Sequence, residues 1–103
     1  MAQAEINPGG CGLHTTVTAT KNGAGVDLLI ESECKAIRRL AEELKTVDPF
    51  QEISARRALP QTLALGHKYC SHAACPVPVA IIKAVEIEAG LALPVDVSIK
   101  LSK

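Results

Sequence analysis

The chain has 103 residues, 48% of them hydrophobic, so residues 1–103 can form a single domain with an aliphatic core. Its 11 basic and 11 acidic residues cancel without any long basic run, which disfavours nucleic-acid and anionic-membrane partners. No apolar segment approaches the ~20 residues of a membrane-spanning helix, and the N-terminus lacks a signal-peptide core. We therefore expect a cytoplasmic protein, in which disulfides are rare and the four cysteines are thiols, metal ligands or core residues.

The first strongly patterned region is a β-hairpin. Residues 13–20 alternate between apolar and polar side chains, residues 21–25 form a glycine-containing turn, and residues 26–30 continue the alternation. Residues 3–6 are expected to be extended at most, before the break at 7–10. If Thr20 pairs with about Val26, paired residue numbers sum to about 46, which places Cys11 or Gly12 opposite Cys34.

Two helices are clearly indicated further along the chain. One follows the candidate N-cap Ser32 and ends before Asp48-Pro49, with apolar positions three and four residues apart. The other begins at Cys75-Pro76 and stops at Gly90. Residues 50–75 carry weaker signals, which favour short helices at 51–59 and 63–69.

The C-terminal segment has the pattern of a strand with one buried face. Its apolar side chains at positions 95, 97, 99 and 101 alternate with polar ones. The predicted fold class is α+β: a small two-layer domain whose mainly antiparallel sheet combines the N-terminal hairpin with this C-terminal strand. Two main helices would cover one face. Because small sheets leave open edges, a homodimer through the hairpin edge or the C-terminal strand is a candidate assembly.

The cysteines are the most informative side chains for function. The hairpin register brings Cys11 towards Cys34, which begins one helix, and Cys75 begins the other. A helix N-terminus favours a thiolate. If both helices start at the same end of the sheet, these three sulfur atoms converge.

Further metal-ligand side chains surround Cys75. His67, Cys70, His72 and Cys75 form the pattern H-x-x-C-x-H-x-x-C. Thiolates and imidazoles suit zinc or an iron–sulfur cluster. The leading hypothesis is a metal centre held by Cys11, Cys34 and Cys75, with Cys70 or His72 as the fourth ligand.

Glycines near Cys11 would let the backbone approach a bound centre. We therefore count Gly10 and Gly12 as candidate cofactor-binding residues.

Two other functions compete with the metal centre. In a thiol redox protein, Cys75 or Cys34 would be a low-pKa nucleophile and Cys11 the resolving thiol. In an interaction module, the cysteines would only pack in the core, as free cysteines often do. The pattern assigns no catalytic residue and does not decide whether the chain is an enzyme.

Some segments resemble a known family. Residues 8–13 (PGGCGL), 75–78 (CPVP) and 90–94 (GLALP), together with Cys34, resemble small uncharacterised proteins of anaerobic bacteria and archaea. The resemblance spans most of the chain and implies no assigned activity. More distantly, the hairpin and its cysteines are similar to NifU-like scaffold domains and TSCPD domains. That similarity implies metal or iron–sulfur handling by Cys11, Cys34 and Cys75, although Val77 replaces the Asp that follows Cys-Pro in TSCPD sequences.

Overall fold

The computed structural model describes residues 1–103 and confirms the α+β class. One antiparallel sheet, ordered β1-β2-β3-β4, consists of β1 (Ala2–Ile6), β2 (Thr15–Asn22), β3 (Gly25–Ser32) and β4 (Thr46–Val47). The helices are α1 (Lys35–Glu43), α2 (Pro49–Glu52), α3 (Gln61–Tyr69) and α4 (Val77–Glu88). None of them is long and apolar enough to cross a membrane.

The predicted hairpin is formed by β2 and β3, with a register one residue from the expected one. Val26 pairs with Lys21 rather than Thr20, and Thr15 pairs with Ser32, so paired numbers sum to 47. The Glu33 amide donates to the His14 carbonyl at 3.0 Å just beyond the last pair. Continuing this register places residue 13, and not Cys11, opposite Cys34.

The helices cover one face of the sheet and enclose an aliphatic core. Helix α4 lies over β1 and β2, α1 lies over β3, and α3 packs against both α1 and α4. Alternate residues of the hairpin point into this core, while the intervening threonines of β2 face outward. Residues that are fully buried include Val17, Val26, Ile37, Leu40, Leu44, Ile81 and Val85.

The predicted C-terminal strand is not part of this sheet. Residues 93–103 have no secondary structure, and every side chain from residue 91 onward is exposed. One edge of the sheet is formed instead by β1, a segment that the sequence analysis expected to be extended at most. Alternation predicts a strand conformation but not its partner, because pairing depends on non-local contacts.

The middle of the chain also differs from the sequence prediction. In place of the helix expected at 51–59, the structure has only the single turn α2. Its N-terminus is capped by the Asp48 side chain, which accepts a hydrogen bond from the Phe50 amide at 3.0 Å. The helix expected at 63–69 is present as α3, and it packs against the two predicted main helices, α1 and α4. β4 is too short for a residue pattern to reveal it.

Helix α4 is oriented by contacts at its C-terminus. A Glu88 carboxylate oxygen accepts from the Lys21 amide at 2.8 Å, and the other lies 3.4 Å from the amino group of Met1. Lys21 is at the turn end of the hairpin, so the start of α4 lies at the opposite end, where β3 leads into α1. Both helices therefore begin at the same end of the sheet.

Candidate functional site

Three cysteines from separate segments meet where these helices begin. Cys34 is the N-cap of α1, Cys70 is the C-cap of α3, and Cys75 immediately precedes Pro76, the N-cap of α4. All three are half-buried and pack against the hydrophobic core. We call Cys34, Cys70 and Cys75 the thiol cluster.

The pKa of Cys70 reflects both its burial and the two thiols near it. The pKa of the Cys70 thiol is raised from 9.0 to about 11, and burial is the largest cause. The nearby Cys75 thiol contributes the next part of this rise, and the charge of Cys34 adds the smallest part. Cys70 is thus the central member of the cluster, and it is a protonated thiol at neutral pH.

The backbone at Cys34 is held by hydroxyl groups at the end of the hairpin. The Cys34 amide donates to Ser32 Oγ at 3.0 Å, and Ser32 Oγ lies 2.7 Å from Thr15 Oγ1. Thr15 is only 2% exposed, so this pair of hydroxyls is well ordered by the core around it. The strand-to-helix junction therefore presents Cys34 in a defined position.

The positions of Cys70 and Cys75 depend on the contact between α3 and α4. The Cys70 amide donates to the Gly66 carbonyl at 2.9 Å, which ends α3, and the Cys75 amide donates to the His72 carbonyl at 3.2 Å. Gly66 faces Pro78 so closely that a Cβ atom on it would lie 2.8 Å from Pro78 Cγ. This glycine brings the end of α3 next to the start of α4.

A cleft of about 370 Å³ opens beside the thiol cluster. Cys70 and Cys75 line it together with the two imidazoles of the H-x-x-C-x-H-x-x-C pattern, His67 and His72. Both histidines are exposed, so a molecule or ion entering the cleft would meet imidazole and sulfur groups together.

Cys11 occupies a different position from the other three cysteines. It is exposed in the loop of residues 7–14, where the Gly12 amide donates to the Gly9 carbonyl at 3.0 Å. Gly9 and Gly12 have φ angles of 95° and 66°, which favour glycine. The loop joins β1 to β2 at the end of the sheet where α1 and α4 begin. Cys11 is therefore at the same end of the sheet as the thiol cluster, but it is not one of the groups that raise the pKa of Cys70.

The cluster is not arranged as a closed metal site. No three Cys, His, Asp or Glu side chains have positions that would hold a metal ion, and all four cysteines are free thiols. Zinc with ~2.3 Å bonds to sulfur needs its thiolates about 3.8 Å apart. Metal binding would therefore require the side chains to rotate towards a common centre.

Sequence reasoning linked Cys70 to this site only through its distance from Cys75 along the chain. Gly66 is the signal that could have added the spatial link, because a glycine inside a helical pattern often marks close packing against another element. Glu52, whose carboxylate accepts hydrogen bonds from the amides of Gln61 and Thr62 at the start of α3, could not be recognised as buried from the sequence. A Glu in a polar stretch is normally a surface residue.

The fold and the cysteines define a small α+β protein with a half-buried thiol cluster at one end of its sheet. The chain belongs to a family of unknown function, DUF6951, whose family model matches residues 2–101. It has no significant match among curated proteins or among solved structures.

We predict that Cys70 is alkylated at least tenfold more slowly than an ordinary cysteine at pH 8. Raising the pKa from 9.0 to about 11 lowers its thiolate fraction about a hundredfold. The greater nucleophilicity of a more basic thiolate offsets about tenfold of that decrease. Mass spectrometry of timed N-ethylmaleimide labelling, with peptides assigned to each cysteine, measures this directly.

Exposed Cys11 supplies the comparison within the same molecule. In denaturant both cysteines should react at similar rates, because burial and the neighbouring thiols no longer act on Cys70. Equal rates for Cys11 and Cys70 in the folded chelator-treated protein would contradict the proximity of the three thiols.

Proposed function

We propose that this protein binds zinc or an iron–sulfur cluster through thiolates at the end of the sheet where α1 and α4 begin. The observation that carries this proposal is the meeting of Cys34, Cys70 and Cys75 from three separate segments. A pair of thiols is enough for redox chemistry, whereas a metal centre needs three or four ligands. Three soft donors at one place favour the metal centre.

The closeness of the three thiols favours binding of a positively charged metal ion. The nearby Cys75 and Cys34 contribute to the raised pKa of Cys70, since adjacent negative charges disfavour its thiolate. A bound metal ion reverses this effect because its positive charge displaces the thiol protons. Metal affinity should therefore increase steeply with pH while the thiols still carry protons.

Two groups compete for the fourth ligand position. Cys11 lies in a loop whose glycines would let the backbone approach the centre, and Gly10 and Gly12 flank it directly. His72 lines the cleft beside Cys70 and Cys75. A site with Cys11 would have four sulfur ligands, whereas a site with His72 would have three sulfur ligands and one nitrogen.

Anaerobic reconstitution tests the proposal. The reduced protein is incubated with zinc, or with ferrous iron and sulfide, and metal content and the absorption spectrum are measured after desalting. We expect retained metal in the parent chain and a loss of affinity exceeding about a hundredfold in Cys34→Ser and Cys75→Ser. Loss of outer-shell partners alone costs 10–100-fold, so removal of a direct ligand should cost more.

Matched variants identify the fourth ligand and control for folding. Ser71→Ala alters an exposed side chain between Cys70 and Cys75 and should retain full binding. Of Cys11→Ser and His72→Ala, only the variant that removes the fourth ligand should bind weakly. A parent chain that retains neither zinc nor iron after both reconstitutions would refute the metal proposal.

The closeness of Cys70 and Cys75, which line the same cleft, favours one alternative, a dithiol that cycles with a disulfide. Each cycle would transfer two electrons and two protons from the thiols to an acceptor disulfide, such as glutathione disulfide. The raised pKa of Cys70 makes it a slow attacking thiol, so Cys75 would attack first. A Cys70–Cys75 disulfide at equilibrium with a glutathione buffer, in a chain that retains no metal, would establish this alternative.

A further inference from the structure

The C-terminal segment has the residue pattern of a strand, but it is not part of the sheet and its side chains are exposed. From residue 91 to residue 101, every odd-numbered side chain is a large aliphatic group, with exposures between 43% for Leu91 and 90% for Leu101. The even-numbered positions from 96 to 102 are polar. One continuous aliphatic face is therefore exposed on an extended segment, which we call the C-terminal arm (residues 93–103).

The direction in which the arm leaves the domain is fixed by the end of α4. The Leu91 amide donates to the Glu86 carbonyl at 2.8 Å, the Gly90 amide donates to the Ile87 carbonyl at 3.1 Å, and Gly90 has a φ of 75°. These bonds and the glycine conformation form a Schellman-type helix end. Beyond this helix end every side chain of the arm is exposed, so the arm does not fold back onto its own domain.

The rest of the molecule has an edge suited to such a strand. β1 is the outermost strand of the sheet and pairs only with β2, so one side of its backbone is free. β4, at the opposite edge, has only two residues and offers a much shorter ladder. Free backbone groups on a five-residue strand are a template for adding another strand.

Helix α4 supplies an apolar surface beside this edge. Its Pro78 faces α3, and a helix turns 100° per residue, so Ala80 and Ile87 lie on the opposite flank. Both are half-buried apolar residues that pack against the core, and α4 as a whole lies over β1 and β2. A strand added to β1 would place one face of its side chains under this flank.

We propose that two copies of this chain form a dimer by exchanging C-terminal arms, each arm adding as a strand to β1 of the other copy. The exchange would cover both aliphatic arms and both open edges in one two-fold arrangement. The formal net charge of zero means that the two copies do not repel each other strongly. This inference does not depend on the proposed metal centre, which lies at the opposite end of α4.

Analytical ultracentrifugation in the presence of reductant and chelator tests the exchange. We expect twice the monomer mass for the full chain and the monomer mass for a chain ending at residue 92. The double variant Val97→Lys/Ile99→Lys, which places two charges on the aliphatic face, should also be monomeric. Ser98→Lys changes the opposite face of the same segment and should leave the dimer intact.

Hydrogen exchange identifies where the arm binds. In the dimer, amides of residues 95–101 and the outward amides of β1 should be protected, and both sets should lose protection at least tenfold in the double variant. A monomeric full chain with unprotected arm amides would overturn the proposal. A monomer with protected arm amides would instead show the arm on its own β1, and a dimer that survives truncation would place the interface elsewhere.

Discussion

Replacing Glu52 with Ala should lower the free energy of unfolding by about 3 kcal/mol, a large part of the stability of a small domain. Glu52 is 3% exposed and its carboxylate accepts three hydrogen bonds at the start of α3. The donors are the Gln61 amide at 3.1 Å, the Thr62 amide at 2.8 Å and Thr62 Oγ1 at 2.5 Å. Pro60, the N-cap residue, supplies no side-chain hydrogen bond, so Glu52 caps this helix from α2.

The large effect is expected because Glu52→Ala leaves donors without partners in a buried place. Thr62 is fully buried, so water cannot easily replace the lost carboxylate. Glu52→Gln keeps one carbonyl oxygen but turns an NH₂ group towards a donor, and should cost about half as much. Gln51→Ala, an exposed change in the same short helix, is the control and should stay within about 0.5 kcal/mol of the parent.

Urea unfolding followed by circular dichroism at 222 nm measures these differences by linear extrapolation. Equal effects of Glu52→Ala and Gln51→Ala would mean that the carboxylate does not hold α3. Since α3 ends at Cys70, the alanine variant should also speed alkylation of Cys70.

The parts of the fold that could be predicted are those that depend on local pattern. Alternation with a glycine turn located β2 and β3, and Cys75-Pro76 with Gly90 bounded α4 to within two residues. The register was wrong by one residue because the turn pairs Asn22 with Gly25, and propensities do not fix which residues flank a turn.

Contacts between distant segments could not be predicted. The arm has the pattern of a strand, yet nothing in its sequence says which edge it joins or whether that edge belongs to the same chain. The expected place of Cys11 beside Cys34 followed from an assumed pairing, and the true register moves Cys11 past that position. Cys70 enters the thiol cluster because α3 packs on α4, which is a contact that spacing along the chain does not express.

The predicted convergence of Cys11, Cys34 and Cys75 required α1 and α4 to begin at the same end of the sheet, a condition that the sequence left open. Contacts of Glu88 with Lys21 and Met1 meet that condition, since they hold the C-terminus of α4 at the turn end of the hairpin. A single carboxylate at one end of α4 thus helps to bring Cys75 to the cluster at the other end.

Gly66 should be intolerant of any side chain, although it lies inside a helix. Helix propensity alone predicts that Gly66→Ala stabilises the protein by about 1 kcal/mol. The added Cβ, however, would lie 2.8 Å from Pro78 Cγ and 3.2 Å from Pro78 Cβ, and a proline ring cannot swing aside. Overpacking of this kind costs 1–3 kcal/mol, so we expect a net loss of about 1 kcal/mol for Ala and about 3 kcal/mol for Val.

Whether Gly66→Ala raises or lowers the free energy of unfolding shows whether helix propensity or packing against Pro78 dominates at this position. Ala64, an exposed residue of the same helix, is the control: Ala64→Gly should cost about 1 kcal/mol through propensity alone. Both variants are compared with the parent by urea unfolding. A Gly66→Ala protein that is more stable than the parent would mean that α3 can move away from Pro78 without cost.

The same substitution tests how helix packing sets the distance between two sulfur atoms. Pushing the end of α3 away from α4 should separate Cys70 from Cys75, whose closeness helps to raise the pKa of Cys70. We therefore expect Gly66→Ala to slow formation of the Cys70–Cys75 disulfide under a fixed glutathione buffer and to speed alkylation of Cys70. Ala64→Gly, which costs similar stability at an exposed position of α3, should leave both rates close to those of the parent, because it does not change the contact between Gly66 and Pro78.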